Sequence, residues 1–273
     1  MRKASFCGLV IAIMVMIGAP GMFVAQDYGQ DARVTPPPTR KIEPPPANAS
    51  SAELEEKGDQ LRSEKAYLDA VDYYQEAIKK MRKGPQQAIV YNKLGMALLG
   101  LGRIDDAQKS YKKAVKADSK LAYAVNNLGF TYYYGKKYGR AIKYYKKAIK
   151  LEPMIASFHS NLGAAYFANK DVSKAVPEYQ QALTLDPDIF ERRSTFGQTA
   201  QISSPEDRAY YSYIMAKLYA QHGLMDRSLL YLRRAIEEGY QGIDNVYKDT
   251  EFTALREDPR FTELMTQKPQ SIE

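Results

Sequence analysis

The 273-residue sequence contains one cysteine, two histidines and no tryptophan. A single cysteine excludes a disulfide framework and a cysteine-rich metal site. His159 and His222 lie far apart in the chain, and a metal site needs three or four converging ligands, so we interpret both as packing or capping residues. The sequence also has no HExxH, GxSxG or CxxC pattern, the short motifs of zinc peptidases, serine hydrolases and thiol redox proteins. We therefore predict no catalytic residue, no metal site, no cofactor and no enzyme.

The excess of positive charge is small: the chain has 39 Lys+Arg and 32 Asp+Glu, which give a formal net charge of +7. Such a balance does not by itself indicate a nucleic-acid-binding protein, which typically carries a strongly basic face. Hydrophobic residues make up 45% of the chain, a fraction that is ordinary for folded domains and excludes disorder throughout. Composition therefore predicts a folded domain with additional tails.

The longest uncharged run lies near the N-terminus, where Arg2 and Lys3 precede Ala4–Gln26. A positive start, a short apolar stretch and a small residue at Ala25 are typical of a secretory signal peptide, which we predict at residues 1–25. The alternative is an uncleaved N-terminal membrane anchor, because the run is just long enough to cross the ~30 Å core of a bilayer. Cleavage would leave a mature chain without cysteine, which suits an oxidising compartment. We expect an exported bacterial protein, located in the periplasm or cell envelope, or secreted.

Proline is concentrated in residues 26–50, with Pro-Pro-Pro triplets at 36–38 and 44–46. Proline fixes φ and lacks a backbone N–H, so this composition favours polyproline II and excludes an α-helix. We predict a disordered Pro-rich linker that acts as a spacer. The alternative, a docking motif for a polyproline-binding module, has no flanking specificity pattern to support it.

A period of 34 residues organises the rest of the chain, beginning with Gly95, Gly129 and Gly163. The residues that recur with these glycines are Leu94, Leu128 and Leu162; Ala107, Ala141 and Ala175; Tyr111, Tyr145 and Tyr179; and Ala114, Ala148 and Ala182. A related unit surrounds Gly58 upstream, and a weaker one surrounds Ala216 downstream. The pattern resembles the tetratricopeptide repeat, a 34-residue unit with Leu-Gly-x-x-Tyr followed by Ala, an aromatic residue and Pro.

The resemblance implies an all-α fold, a right-handed superhelical solenoid of tetratricopeptide helical hairpins with about five repeats and a short C-terminal helical cap. The predicted repeats are 51–84, 88–121, 122–155, 156–189 and 209–242. An irregular excursion at 190–208 interrupts them, and Ser204-Pro205 near its end is typical of a helix start. Residues 243–273 are acidic, and we predict that they cap the exposed end of the array, as solenoids require for solubility.

The resemblance also implies that the first helix of each hairpin lines a concave groove, which binds partners in this family. The predicted partner-binding residues are Asn92, Lys93, Tyr123, Asn126, Asn127, Phe130, Tyr133, Asn161 and Phe167. Aromatic side chains bury a large area at low entropic cost and often anchor partners. An Asn side chain offers both a donor and an acceptor, so it can pair with an extended peptide backbone.

Some tetratricopeptide proteins use Asn at the position of Asn127 and Asn161 as a ladder for a bound peptide. Lys93 interrupts this ladder here, and the alternative is that Asn at this position is simply common in the family. The carboxylate clamp of chaperone-binding members is absent, because Glu55 and Asp59 stand where that clamp requires Lys and Asn.

A second predicted surface is basic, because residues 101–150 hold thirteen Lys+Arg and three Asp. The predicted anion-binding residues recur in register on the second helices of two repeats and are Lys109, Lys112, Lys113, Lys116, Lys143, Lys146, Lys147 and Lys150. Like charges at i,i+4 are unfavourable by ~0.2–0.5 kcal/mol per pair. The rows are therefore either a solvated convex face or a surface that attracts an anionic partner.

These patterns together predict a non-enzymatic scaffold that binds a peptide or partner protein in the concave groove. The alternative function is a structural or tethering module that engages anionic envelope material, or an acidic partner, through the lysine rows. Export makes nucleic acid an unexpected partner. The expected partners are therefore proteins or peptides.

Overall fold

The computed structural model describes residues 43–191 and 204–266, which belong to one compact unit, Thr39–Glu273. This part of the chain contains α-helices and short 3-10 turns but no β-strand. Ten of the helices form five consecutive hairpins: α1 (Ser51–Ser63) with α2 (Tyr67–Lys80), α3 (Pro85–Gly100) with α4 (Ile104–Ala117), α5 (Ala122–Tyr134) with α6 (Tyr138–Leu151), α7 (Ala156–Ala168) with α8 (Val172–Leu185), and α9 (Pro205–Gln221) with α10 (Met225–Glu237). The predicted all-α solenoid of helical hairpins is confirmed.

Each first helix ends in the same way, with one residue in the left-handed backbone conformation. These residues are Lys65, Gly102, Lys136, Lys170 and Gly223, with φ between 56° and 70°. The next backbone N–H donates to a carbonyl five residues earlier, as from Arg103 N to Leu98 O at 2.9 Å. This is the Schellman arrangement that terminates α-helices. It turns the chain sharply enough for the second helix to begin within a few residues.

The glycines of the 34-residue period allow the two helices of a hairpin to approach closely. A Cβ added at any of them would lie 2.5–2.9 Å from a ring atom of a fully buried tyrosine on the second helix. The four pairs are Gly58–Tyr74, Gly95–Tyr111, Gly129–Tyr145 and Gly163–Tyr179. Glycine is therefore required at this position because the tyrosine ring occupies the volume that a side chain would need.

Successive hairpins stack so that their first helices form one layer. α1 packs against α3, α3 against α5 and α5 against α7, and each second helix packs against the first helix of the next hairpin. In the described part of the chain, the second helices make no comparable contact with one another. The first helices therefore lie closer together than the second helices. We call their shared inner surface the first-helix face.

The fifth hairpin begins four residues before the predicted repeat boundary at 209. The Ser204 hydroxyl accepts a hydrogen bond from Asp207 N at 3.1 Å, and Pro205 takes the first helical position. Both features stabilise a helix N-terminus, so the predicted start at Ser204-Pro205 is confirmed. Residues 205–208 consequently belong to α9 and not to the irregular excursion.

The last residues of the predicted linker, 47–50, are held against the first hairpin. Lys80 Nζ donates hydrogen bonds to the carbonyl oxygens of Ala47 and Ala49 at 2.7 and 2.5 Å. Ala49 also packs against the hydrophobic core. The prediction of a disordered linker therefore does not apply to these residues, because the lysine ammonium and the core contact fix their backbone.

The chain after α10 covers the open side of the fifth hairpin. Its elements are two 3-10 turns (Ile243–Tyr247 and Thr250–Phe252), α11 (Thr253–Arg256) and α12 (Pro259–Thr266). Phe252 and Leu255 are fully buried, and the Phe252 ring packs against Tyr213 of α9 with 5.6 Å between centroids. These contacts form the helical cap that the sequence predicts.

Several predictions concern residues outside the described ranges. They are the signal peptide or anchor at 1–25, the linker up to residue 42, the excursion at 192–203 and the end of the cap at 267–273. Across the two ranges that the structure describes, no helix is both long enough and apolar enough to cross a membrane.

Candidate functional site

The first-helix face carries a row of exposed apolar side chains at one position of the repeat. Ile89 on α3, Tyr123 on α5 and Tyr210 on α9 are 36%, 46% and 37% exposed. Each lies six residues before the position that Gly95, Gly129 and Ala216 occupy in their helices. Large apolar side chains that remain in water, in register along an array, define a candidate interaction surface.

Aromatic neighbours hold two of these rings in place. The Tyr123 ring meets the buried ring of Phe158 edge-on, with 5.3 Å between centroids. The Tyr210 ring stacks on Tyr240 at 5.8 Å. Side chains fixed in this way lose little conformational entropy when a partner covers them. Tyr123 and Tyr210 are therefore preorganised anchors.

The predicted asparagine ladder is a chain of hydrogen bonds within the protein. Asn161 Nδ2 donates to Asn126 Oδ1 at 3.0 Å, and Asn126 Nδ2 donates to Asn127 Oδ1 at 3.3 Å. Asn127 Nδ2 then donates to Asn92 Oδ1 at 3.0 Å, so the chain joins α7, α5 and α3. Asn126 and Asn161 are 7% and 6% exposed, whereas Asn92 and Asn127 are half-buried. Only the latter two present amide surface to a partner in this structure.

Two of the predicted aromatic contacts lie in the core. Tyr133 and Phe167 are buried, and their rings lie 5.6 Å from Tyr138 and 5.7 Å from Tyr211. The family resemblance places both at an inward position, but the close packing of the hairpins covers that position here. Phe130 is half-buried and remains accessible on α5.

Lys93 stands beside the asparagine chain and pairs with carboxylates of α1. Its Nζ lies 2.6 Å from Glu55 Oε1 and 2.5 Å from Asp59 Oδ2. Burial acts to lower the pKa of Lys93, but the hydrogen bonds to Asp59 and Glu55 outweigh this effect and raise the pKa above its ordinary value. Lys93 is thus a charged ammonium that links the first two hairpins and already has partners within the protein.

A similar cluster at the other end of the first-helix face was not predicted. Lys217 Nζ on α9 lies 2.9 Å from Asp249 Oδ2 and 3.2 Å from Glu251 Oε1 of the cap. Burial acts to lower the pKa of Lys217, and the hydrogen bonds to Asp249 and Glu251 raise it overall. Tyr213 also donates its hydroxyl to Asp249 Oδ2 at 2.9 Å. The cap is thereby fastened to α9 through polar contacts as well as through its core.

All eight lysines of the second predicted surface are exposed, on α4 and α6, and we call them the lysine surface. Lys109 pairs with Asp106 at 2.9 Å, and Lys112 donates to Gln108 Oε1 at 3.1 Å. The other six have neither an ion pair nor an ammonium hydrogen bond with any residue that the structure describes. They are Lys113, Lys116, Lys143, Lys146, Lys147 and Lys150. The lysine surface therefore carries a largely uncompensated positive charge.

The described residues hold no group of three or more His, Cys, Asp or Glu arranged to bind a metal ion. His159 is buried, with Nδ1 2.7 Å from Glu178 Oε2 and Nε2 2.9 Å from the carbonyl oxygen of Pro153. It joins α7 to α8 and to the preceding loop, so its interpretation as a packing residue is confirmed.

Family comparison identifies the repeats directly. Tetratricopeptide repeat models match residues 88–121 and 156–189, and a TPR repeat model matches residues 131–170. The chain therefore contains tetratricopeptide repeats in residues 88–121 and 131–189, as its 34-residue pattern predicts. Repeats of this kind indicate a protein–protein interaction scaffold.

Three solved structures are similar to part of this chain. A MamA crystal structure is 23% identical, covers 66% of this chain and 93% of its own, and has a TM-score of 0.47. MamA from Desulfovibrio magneticus RS-1 is 17% identical over 69% of this chain and 94% of its own, with a TM-score of 0.49. A thermophilic TPR protein from Thermus thermophilus is 21% identical over 80% of this chain and 100% of its own, with a TM-score of 0.46. No curated protein matches the sequence.

Proposed function

We propose that this protein is a non-enzymatic scaffold that binds an extended segment of a partner protein across the first-helix face. The proposal depends on one observation, the exposed row of Ile89, Tyr123 and Tyr210 at one position of the repeat. Covering apolar surface stabilises a complex by roughly 25 cal/mol per Å². Aromatic anchors in register along a stacked array suit a ligand that crosses several hairpins.

The asparagine chain supports this function by making the face rigid. The bond from Asn161 to Asn126 joins α7 to α5, and the bond from Asn127 to Asn92 joins α5 to α3. A surface whose helices are already linked needs little rearrangement, so less conformational entropy is lost on binding. Asn127 and Phe130 follow Tyr123 at i+4 and i+7 on the same side of α5 and complete the proposed contact area.

Differential capture from native cell envelopes tests the proposal. The bait is the full chain, compared with a double variant, Tyr123→Ser and Tyr210→Ser, that alters only exposed side chains. Tyr247→Ser is the matched control, because Tyr247 is a 53% exposed tyrosine of the cap. We expect specific partners that the parent and Tyr247→Ser capture and the double variant loses. Identical capture by all three baits would exclude the first-helix face as the binding surface.

The location proposed for this scaffold is the periplasm or cell envelope, or the extracellular medium. The support is the charged start at Arg2 and Lys3 followed by the uncharged run Ala4–Gln26. Cell fractionation and the N-terminal sequence of the isolated protein test the location. A shortened N-terminus in an exported fraction supports cleavage, and an intact N-terminus in the membrane fraction supports an anchor. Recovery of the intact chain from the cytoplasm would contradict export.

The second candidate function is attachment to anionic envelope material, or to an acidic partner, through the lysine surface. Six ammonium groups without a carboxylate partner among the described residues favour it. Exposed charges act over about 8–10 Å in physiological salt, so such attachment weakens steeply as salt rises. Co-sedimentation with isolated envelopes, with and without Lys113→Glu and Lys147→Glu, tests it. Sedimentation that neither salt nor charge reversal reduces would exclude it.

A further inference from the structure

The lysine surface occupies one side of each of two second helices. Successive residues of an α-helix are rotated by about 100°, so the four lysines of α4 fall within an arc of about 100°, and the four lysines of α6 do the same. From Lys109 to Lys116 and from Lys143 to Lys150, the chain contains no acidic residue. The lysine surface therefore consists of two purely basic helix faces in adjacent hairpins.

The positive charge does not continue into the hairpins on either side. The corresponding positions are Asp72, Gln75, Glu76 and Lys79 in α2, and Pro177, Gln180, Gln181 and Thr184 in α8. The α2 set thus holds two acids and one lysine, and the α8 set holds no charge. Uncharged residues solvate these positions of α8 without the repulsion between like charges at i,i+4. Solvation alone therefore does not explain the lysines of α4 and α6.

Three of the ammonium groups lie over tyrosine rings of the first helices. The distance from Nζ to the ring centroid is 5.9 Å for Lys112 and Tyr132, 5.5 Å for Lys113 and Tyr91, and 5.6 Å for Lys146 and Tyr166. The face of an aromatic ring attracts an ammonium group but does not neutralise its charge. These contacts therefore restrict the side chains and leave the positive charge available to an anionic partner.

The residue types favour a lipid bilayer over a protein as that partner. All eight positions hold lysine and none holds arginine, although protein interfaces are enriched in arginine and depleted in lysine. None of the exposed large apolar side chains lies on α4 or α6, both of which are described throughout, so the lysine surface lacks the anchors that protein interfaces bury. Clusters of about four to eight basic residues on an amphipathic helix are typical of binding to anionic lipid headgroups.

We propose that the lysine surface binds an anionic phospholipid bilayer through the headgroup phosphates, without inserting into the hydrocarbon core. This inference rests on the second candidate function and names the anionic material that the lysine surface recognises. The row of Ile89, Tyr123 and Tyr210 lies on first helices and the lysines lie on second helices. A bilayer and a protein segment therefore contact different helices of the array.

Co-sedimentation of the full chain with vesicles tests the proposal. The vesicles are phosphatidylcholine, which has no net charge, or phosphatidylcholine mixed with anionic phosphatidylglycerol. Insertion of the N-terminal uncharged run Ala4–Gln26 would contribute alike in every variant. The readout is therefore the factor by which phosphatidylglycerol strengthens binding, measured at low salt.

The test variant is Lys113→Gln with Lys147→Gln, which removes two lysines that have no ion pair among the described residues. Each lysine near an anionic bilayer strengthens binding roughly fivefold, so we expect a loss of about 20-fold. Lys65→Gln with Lys248→Gln is the matched control, because both lysines are exposed outside the lysine surface and the change in net charge is the same. We expect that control to lose less than about twofold.

The outcomes separate this inference from the function on which it rests. Vesicle binding that both double variants weaken equally, or that neither weakens, would overturn the inference. Attachment to isolated envelopes that is lost in Lys113→Gln with Lys147→Gln, without any binding to phosphatidylglycerol vesicles, would overturn the inference and leave the second candidate function standing. In that case, displacement from the envelopes by soluble polyphosphate would indicate a polymer, and no displacement would indicate an acidic protein. If the chain binds neither vesicles nor envelopes, both proposals fall.

Discussion

Gly95 and the ring of Tyr111 leave no room for another atom between them, because a Cβ added at Gly95 would lie 2.5 Å from Cε1 of Tyr111. The tyrosine is fully buried and has no space into which to shift. The same contact recurs in each of the first four hairpins. It is the physical reason for the glycine that repeats every 34 residues.

Gly95→Ala is therefore expected to destabilise the protein by about 1–3 kcal/mol, the usual cost of overpacking a core. Gly139→Ala is the control, because Gly139 lies in α6 and nothing stands within 4 Å of its added Cβ. That change is expected to stabilise the protein by roughly 0.5–1 kcal/mol through helix propensity. Urea unfolding followed by circular dichroism measures both, and equal effects of the two substitutions would contradict the packing account.

The buried tyrosine hydroxyls of the first two hairpins differ, and we expect only the removal of the first to destabilise the protein. The Tyr74 hydroxyl donates to Asp59 Oδ1 at 2.7 Å and accepts from Arg62 Nε at 3.2 Å. The Tyr111 hydroxyl is buried and has no hydrogen-bond partner among the described residues. Tyr74→Phe is expected to cost about 1–2 kcal/mol, whereas Tyr111→Phe is expected to be neutral or slightly stabilising. Urea unfolding followed by circular dichroism measures both variants. A larger loss of stability for Tyr111→Phe than for Tyr74→Phe would contradict this account.

The free energy of unfolding is expected to fall at alkaline pH. Burial raises the pKa of Tyr111, Tyr145 and Tyr179, so the folded state keeps phenolic protons that the unfolded chain releases above about pH 10. The free energy of unfolding is therefore unaffected by these groups below about pH 10 and falls above it. Each such tyrosine contributes up to about 1.4 kcal/mol per pH unit. Unfolding at a series of alkaline pH values should show a shallower fall for Tyr111→Phe, and an unchanged slope would refute this cause.

Lys136 adopts a backbone conformation that glycine tolerates better. Its φ is 56°, and it occupies the position that Gly102 and Gly223 fill in other hairpins. Because the left-handed region costs an L-residue roughly 1–2 kcal/mol, Lys136→Gly is expected to raise the free energy of unfolding by ~1 kcal/mol. Lys137→Gly is the control, since Lys137 has a φ of −91° and gains nothing from glycine. Equal changes in the two variants would exclude backbone strain as the reason.

The arrangement of the hairpins could be predicted because it depends on side-chain size at a fixed period. Where the two helices of a hairpin approach closely, one residue must be small and its partner large, as Gly129 and Tyr145 are. The same residue types therefore recur at the same positions of each repeat in the sequence. The same holds for Ala141 and Ala148, which are fully buried. Patterns of this kind report the packing of neighbouring elements in every repeat.

The polar contacts of the candidate site could not be predicted from the repeat pattern, because they do not recur at a fixed position of the repeat. Asn126 and Asn127 are identical neighbours in sequence, yet the first is buried and the second is half-buried. Asn126 bonds to Asn161 of α7, whereas Asn127 bonds to Asn92 of α3. The pairing of Lys217 with Asp249 crosses from the array to the cap, where the 34-residue period no longer applies.

The backbone conformation of the turns within the hairpins also could not be predicted from the residue types. Lys65, Lys136 and Lys170 all adopt the left-handed conformation, although lysine carries no turn signal of its own. Their position in the Schellman closure determines their backbone, because the first helix ends at the same place in each hairpin. The sequence therefore predicts where the helices lie better than it predicts which polar groups meet.

Site-specific photo-crosslinking in intact cells tests the central claim most directly. A photoreactive phenylalanine analogue replaces Tyr123 on the first-helix face, Lys147 on the lysine surface or Tyr247 on the cap, one position at a time. All three positions are exposed, so each variant is expected to fold. We predict a discrete crosslinked partner protein from position 123 and none from positions 147 and 247. Crosslinks from position 147 with none from position 123 would contradict the account and assign partner binding to the lysine surface.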